Sequence, residues 1–154
     1  MSVPIVVDEW LLHDLQGENG DKNQEDTLRF LVKLLQICDR IVILEDSPFQ
    51  EKTKALIKRS ENDFALRGIS QFLHSSFILN ASKTLLVGRD EIKPLPQHIA
   101  KLVPADDQYL FQTHLKVNGS FILTTDGRWP EALLKKKALD IRMRDPFVET
   151  YLKR

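Results

Sequence analysis

Residues 107–129 read DQYLFQTHLKVNGSFILTTDGRW. Within this stretch the apolar spacing switches from helical to extended. Leu110, Phe111, His114 and Leu115 fall on one face of a helix. Asp106 or Asp107 stands where an N-cap belongs, and Asn118-Gly119 is a stop signal. Residues 120–124 (SFILT) then read as a strand that ends near Asp126. A helix, a tight turn, a buried strand and an acid at its carboxyl end form a unit of an α/β sheet.

The same alternation continues on both sides. Pro4–Val7, Arg40–Leu44 and Thr84–Val87 are short β-branched or apolar runs that read as strands, and residues 139–143 as a last one. Helices are expected between them. One spans residues 10–15, and one carries the stripe Leu28, Leu31, Val32, Leu35 with Asp26 as its cap after a polar loop at 16–25. Another starts at Pro48 behind Ser47, with Gln50 completing a capping box, and runs to about Arg59. Further helices are expected at 61–75, 96–103, 130–137 and 146–152. Strands alternating with helices throughout predict an α/β fold with a central, mostly parallel sheet and one domain over residues 1–154.

Composition excludes several classes. The 154 residues are 42% hydrophobic and 29% charged, the balance of a globular chain. No apolar run approaches the roughly 18 residues of a membrane span. The N-terminal MSVPIVVDEW lacks a basic region and meets Asp8 and Glu9 early, so a soluble, cytoplasmic protein without a signal peptide is expected. The single cysteine, Cys38, excludes an intrachain disulfide and is read as a buried thiol. Neither phosphate-cradling glycine motif is present, which removes nucleotide-triphosphate and dinucleotide readings. Net charge is zero, yet residues 1–77 carry 9 basic and 13 acidic groups and residues 78–154 carry 13 and 9.

The acids carry the functional signal. Ligands of open α/β sheets bind beyond the carboxyl ends of the strands. Asp8 follows IVV and Asp126 follows FILTT, while Glu51 and Asp107 lie in first turns of helices that start at the same edge. Carboxylates gathered there repel one another unless some are protonated or a cation binds. All-oxygen donors suit Mg²⁺ or Mn²⁺ rather than zinc. Such an ion activates water and offsets charge on an attacked phosphodiester, so the chemistry implied is phosphodiester hydrolysis. Each acid also has a plain structural reading: Asp8 and Asp107 as caps, Asp126 as a turn residue with Gly127, Glu51 as a glutamate favoured by the helix dipole.

At these residues the chain resembles the PIN-domain ribonucleases. The likeness is specific around residues 107–129, where an aspartate, a helix, Gly119, a strand and Thr124-Thr125-Asp126 follow in the family's order, with a 19-residue step from Asp107 to Asp126. The resemblance implies a three-layer αβα sandwich and a metal-dependent endoribonuclease acting on RNA. It implies that Asp8, Glu51, Asp107 and Asp126 bind one or two Mg²⁺ or Mn²⁺, with Glu45 as the alternative to Glu51 and Asp106 as the alternative to Asp107. Thr124 or Thr125 would support the last acid. It further implies the toxin of a toxin–antitoxin pair, hence an antitoxin or other protein partner, and a homodimer through apolar helix surfaces. The chain departs from the family at Trp10, where a small polar residue is usual and where a bulky ring would fill the site or stack a base. That departure favours the alternative, a PIN-like RNA- or protein-binding module without catalysis. Arg128 with Lys135, Lys136 and Lys137 forms a basic stretch suited to an RNA backbone. His114 is read as a core histidine and Trp129 as a packing residue.

Overall fold

Strands that bury both faces must alternate their side chains between two cores, and β1 (Pro4–Val7) and β2 (Arg40–Leu44) do so. Ile5, Val7, Ile41 and Ile43 point into one core; Val6, Val42 and Leu44 point into the other. In a computed structural model, which describes residues 2–154, these strands join β3 (Thr84–Val87), β4 (Phe121–Thr124) and β5 (Ile141–Met143). The sheet has five strands in the order β3-β2-β1-β4-β5, and every pairing is parallel.

Helices cover both faces of the parallel sheet expected from the alternation, and the result is the three-layer αβα sandwich that the resemblance implies. The first face is packed by α1 (Trp10–Leu15), α2 (Asp21–Gln36), α3 (Pro48–Ser60), α4 (Phe64–Leu73) and α8 (Arg144–Tyr151). The second face is packed by α5 (Gln97–Ala100), α6 (Gln108–Lys116) and α7 (Glu131–Leu134). No helix among the described residues is long and apolar enough to cross a membrane.

The chain runs from β1 outward to β2 and β3, returns to the centre at β4, and then proceeds outward the other way to β5. The direction of winding therefore reverses between β1 and β4. Helices leaving these strands in opposite directions open a crevice at the carboxyl ends, the place where open α/β sheets bind ligands.

Several local expectations shift. α2 starts at Asp21 rather than Asp26, behind Gly20 with φ of 94°. Its first turns are polar because they project into solvent, so apolar periodicity does not reveal them; Asp26 instead pairs with Lys22 one turn back at 2.6 Å. Ser47 caps α3 by accepting from the Gln50 N–H at 3.2 Å, but the Gln50 side chain accepts from Asp46 N–H, not from Ser47. α4 ends in a single π-helical turn, His74–Ile78, that tucks Phe77 into the first core. Cys38 is exposed, not buried. In its loop between α2 and β2 it is Asp39 that turns inward, where it accepts from Val3 N–H and the Tyr151 hydroxyl.

Beneath the crevice, α1, α2 and α8 are joined by a buried ion pair. Arg144 Nε lies 3.3 Å from Asp14 Oδ2, and Asp14 also accepts from Thr27 and Asn19.

Candidate functional site

The crevice at the switch point is an open cleft of about 1430 Å³. Five carboxylates line it: Asp8, Glu9, Asp106, Asp107 and Asp126. Three cationic side chains, Lys52, Lys101 and Arg128, line it as well.

Asp8 is the first residue beyond β1. Its Oδ1 accepts from Glu9 N–H at 2.6 Å, and Thr124 Oγ1, at the end of the neighbouring β4, lies 3.5 Å from Oδ2. Burial pushes the Asp8 carboxyl up to about 6; the Glu9 N–H opposes this, and the negative charges of Asp107 and Glu9 add to it. Asp107 ends a short 3₁₀ turn and opens α6, where its side chain makes no capping bond. Its Oδ2 instead accepts from Trp129 Nε1 at 3.2 Å. Burial raises its pKa, against that bond and with further repulsion from Asp126, Asp106 and Glu9.

Asp126 follows β4 by two residues. Its backbone N–H donates to Thr124 Oγ1 at 3.0 Å, so one hydroxyl touches both Asp8 and the Asp126 backbone. Its Oδ1 accepts from Arg128 N–H at 2.9 Å and from Arg128 Nε at 3.2 Å. Burial acts to raise this carboxyl, but the Arg128 bonds and charge outweigh it, and its pKa is lowered.

Asp8, Asp107 and Asp126 are thus brought to one cleft. Thr124 is buried between two of them, and Thr125 lines the cleft with an exposed side chain. Asp106, also on the cleft wall, is exposed. Glu51 is not brought there. It faces solvent with its side chain 61% exposed, 3.5 Å from Lys54. Glu45, at the end of β2, is exposed and outside the cleft lining. The acid that does enter beside Asp8 is Glu9, paired with Lys52 Nζ at 2.6 Å.

Helix phase accounts for the exchange. The buried residues of α3 are Phe49, Thr53, Leu56 and Ser60. With about 3.6 residues per turn, Glu51 lies roughly opposite that stripe and Lys52 at its edge. The signal was available in the apolar spacing; only Lys101, carried by the turn after α5, gave none.

The basic stretch divides similarly. Arg128 lines the cleft, whereas Lys135, Lys136 and Lys137 lie outside its lining, with Lys135 bound to Glu131 at 2.8 Å. Trp10 is 4% exposed and donates from Nε1 to the Leu123 carbonyl at 2.8 Å, so its ring is part of the cleft floor rather than a free stacking surface. Trp129 is equally buried, edge-on to Phe111. His114 is a core residue: Nδ1 bonds Ser120 Oγ and Nε2 accepts from Asp140 N–H.

No protein-family model, curated protein or solved structure matches this chain.

The donors fit a hard divalent cation in kind: three carboxylates and a hydroxyl, with no sulfur or imidazole among them. A second feature agrees. The Tyr109 hydroxyl, on the second residue of α6, is buried without a hydrogen-bond partner. Burial raises its pKa, and the charges of Asp8, Glu9 and Asp107 raise it further. Among the described residues, no three His, Cys, Asp or Glu side chains stand close enough to hold a metal ion together. Asp107 and Asp126 are instead turned to Trp129 and Arg128. A cation would have to draw these carboxylates from their present bonds.

Proposed function

We propose that this chain is a Mg²⁺- or Mn²⁺-dependent endoribonuclease of the PIN-domain type, hydrolysing phosphodiester bonds of RNA. The observation that carries the reading is the convergence of Asp8, Asp107 and Asp126 from three separate segments on the switch-point cleft. Nothing in the packing of β1, α6 and β4 requires three acids at one edge, and burial, with added repulsion from neighbouring carboxylates, raises the pKa of Asp8 and Asp107. Asp126 already has Arg128 beside it, whereas Asp8 and Asp107 have no ion-pair partner among the described residues, which suits the edge to a cation.

Asp8, Asp107 and Asp126 would hold the ion, which when bound lowers the pKa of a coordinated water and offsets charge on the phosphoryl oxygens. The chain's own residues do the rest. The Thr124 hydroxyl keeps the Asp8 side chain and the Asp126 backbone in register. Lys101 and Arg128 on the walls give the phosphate backbone a cationic path into an otherwise acidic cleft. Trp10 and Trp129 form an apolar floor beneath the acids of the open cleft.

The test is cleavage of a mixed single-stranded RNA pool with Mn²⁺ or Mg²⁺ by wild type and Asp126→Asn. Asparagine keeps the shape and removes the charge. Metal-dependent cutting by wild type, reduced at least 100-fold in the variant on the scale of losing a principal electrostatic group, is expected. Equal cutting by both refutes the assignment of the site. The second reading, a PIN-like module that binds RNA or protein without catalysis, is favoured by the outward Glu51 and by the cations already paired with Glu9 and Asp126. RNA retained but uncut by the folded wild type would select it.

A further inference from the structure

A buried ion pair carries a desolvation cost, and replacing it with apolar side chains is often neutral for stability. Asp14 and Arg144 form such a pair at 3.3 Å, and the Thr27 hydroxyl donates to Asp14 at 2.8 Å. One further bond reaches Asp14 from outside the core: Asn19 Nδ2 donates to its Oδ1 at 2.7 Å. Asn19 is exposed and lines the switch-point cleft. The loop that carries it is fixed as well. Gly17 and Gly20, with φ of 78° and 94°, bracket it in a conformation that other residues rarely adopt, and Gly20 N–H donates to the Gly17 carbonyl at 3.2 Å. The buried charges therefore end on a single amide at the cleft surface, held in place from below.

Its orientation follows from chemistry. A carboxylate only accepts, so the amide presents its NH₂ to Asp14 and leaves Oδ1 unused. Asp14 takes one N–H; Oδ1 and the second N–H have no partner among the described residues. An acceptor and a donor on one amide complement the pairing edge of an unpaired base, an edge that a duplex already occupies. His13 lines the same cleft from the last turn of α1, with its Nδ1 bonded to Glu18, the residue before Asn19. Imidazole is one of the rings on which splayed bases stack. We propose that His13 and Asn19 form a subsite of the cleft for one unpaired nucleobase, the imidazole stacking on its face and the amide bonding its edge. The proposal rests on the RNA reading above, adds to it the residues that select single strands, and needs no metal ion.

The test is fluorescence anisotropy in EDTA, where nothing is cut, with labelled oligouridine and an abasic ribose-phosphate strand of the same length. Wild type should bind oligouridine about tenfold or more tightly than the abasic strand, on the scale of one stacked base. His13→Ala and Asn19→Ala should each narrow that gap several-fold and leave the abasic affinity unchanged. Oligomers of N3-methyluridine, which stack but offer a blocked edge, should lose affinity for wild type and lose none for Asn19→Ala. Equal binding of oligouridine and the abasic strand overturns the inference and leaves the ribonuclease reading standing. No binding of either strand overturns both. A gap unchanged in both variants, or an abasic affinity that falls with it, refutes the assignment to His13 and Asn19. Should Asn19→Ala not keep the wild-type circular dichroism spectrum, N3-methyluridine on wild type decides, and undiminished affinity for it refutes the bond to the base edge.

Discussion

Asp8→Asn should make the metal-free protein more stable at neutral pH. Asp8 sits at the floor of the cleft between β1 and β4, and burial lifts its carboxyl from 3.8 to about 6. Within that window the folded chain holds a proton on Asp8 that the unfolded chain has released. Stability therefore falls as pH rises from 3.8 to about 6 and levels off above it. The difference corresponds to about 3 kcal/mol. The open cleft admits water that screens the charge, so about 2 kcal/mol is the working expectation. Asparagine has no such ionisation and should escape the loss. The assay is urea denaturation of both proteins in EDTA between about pH 4 and pH 7.5, with stability taken from the midpoint and slope. Groups away from the cleft titrate alike in the two chains, so the difference between the curves reports Asp8 together with the acids coupled to it. It should grow by about 2 kcal/mol in favour of the variant across the window. Mn²⁺ at pH 7.5 should then raise the wild type more than the variant, because only the wild type offers the ion a charged ligand. A difference that stays flat with pH refutes the account of Asp8 as a buried, destabilising charge.

Two predictions concern the frame around the site. Arg144→Ala leaves Asp14 buried without its partner and should cost about 3–5 kcal/mol in urea denaturation; Arg144→Met with Asp14→Leu should recover most of it, and no recovery would mean that packing rather than charge dominates. His114 has its pKa lowered by burial, with Asp140 opposing, so the stability it contributes is present above its unfolded value and lost as pH falls below it. Protonation also ends acceptance from Asp140 N–H at Nε2, and His114→Gln should flatten the acid limb of the stability curve.

Much of the fold is legible in local chemistry. The runs PIVV, RIVIL and FILT are short, apolar and bounded by turn residues, and each becomes a strand buried on both faces. Ser47 and Pro48 mark the start of α3 because an N-cap oxygen accepts from one orphan donor and a residue without an N–H removes another, in any context. Where a segment is polar all round, as at residues 21–26, periodicity says nothing, and the start of α2 is missed. At the site, Asp8 and Asp126 are legible because they stand at or just beyond the carboxyl ends of strands, and Asp107 because it precedes a helix. Glu51 lies in the first turn of α3, but its angle around the helix, which position along the chain alone does not reveal, turns it to solvent. The bonds from Trp129 to Asp107 and from Arg128 to Asp126 depend on how the turn after β4 folds back over α6, which no local pattern encodes.

The amino-acid sequence by itself determined the alternation of strands and helices, the apolar faces they bury, and the acids left at their carboxyl ends. All three follow from interactions within a few residues, such as capping, φ preference and side-chain period. The order β3-β2-β1-β4-β5 was decided only by the tertiary structure, since any parallel arrangement of these strands would satisfy the same local patterns. That order sets β1 against β4, places Asp8 within reach of Thr124, and puts Asp8 and Asp126 on one cleft. Which strands become neighbours depends on packing two cores at once across the whole sheet, and the cleft exists only because the winding reverses between those two strands.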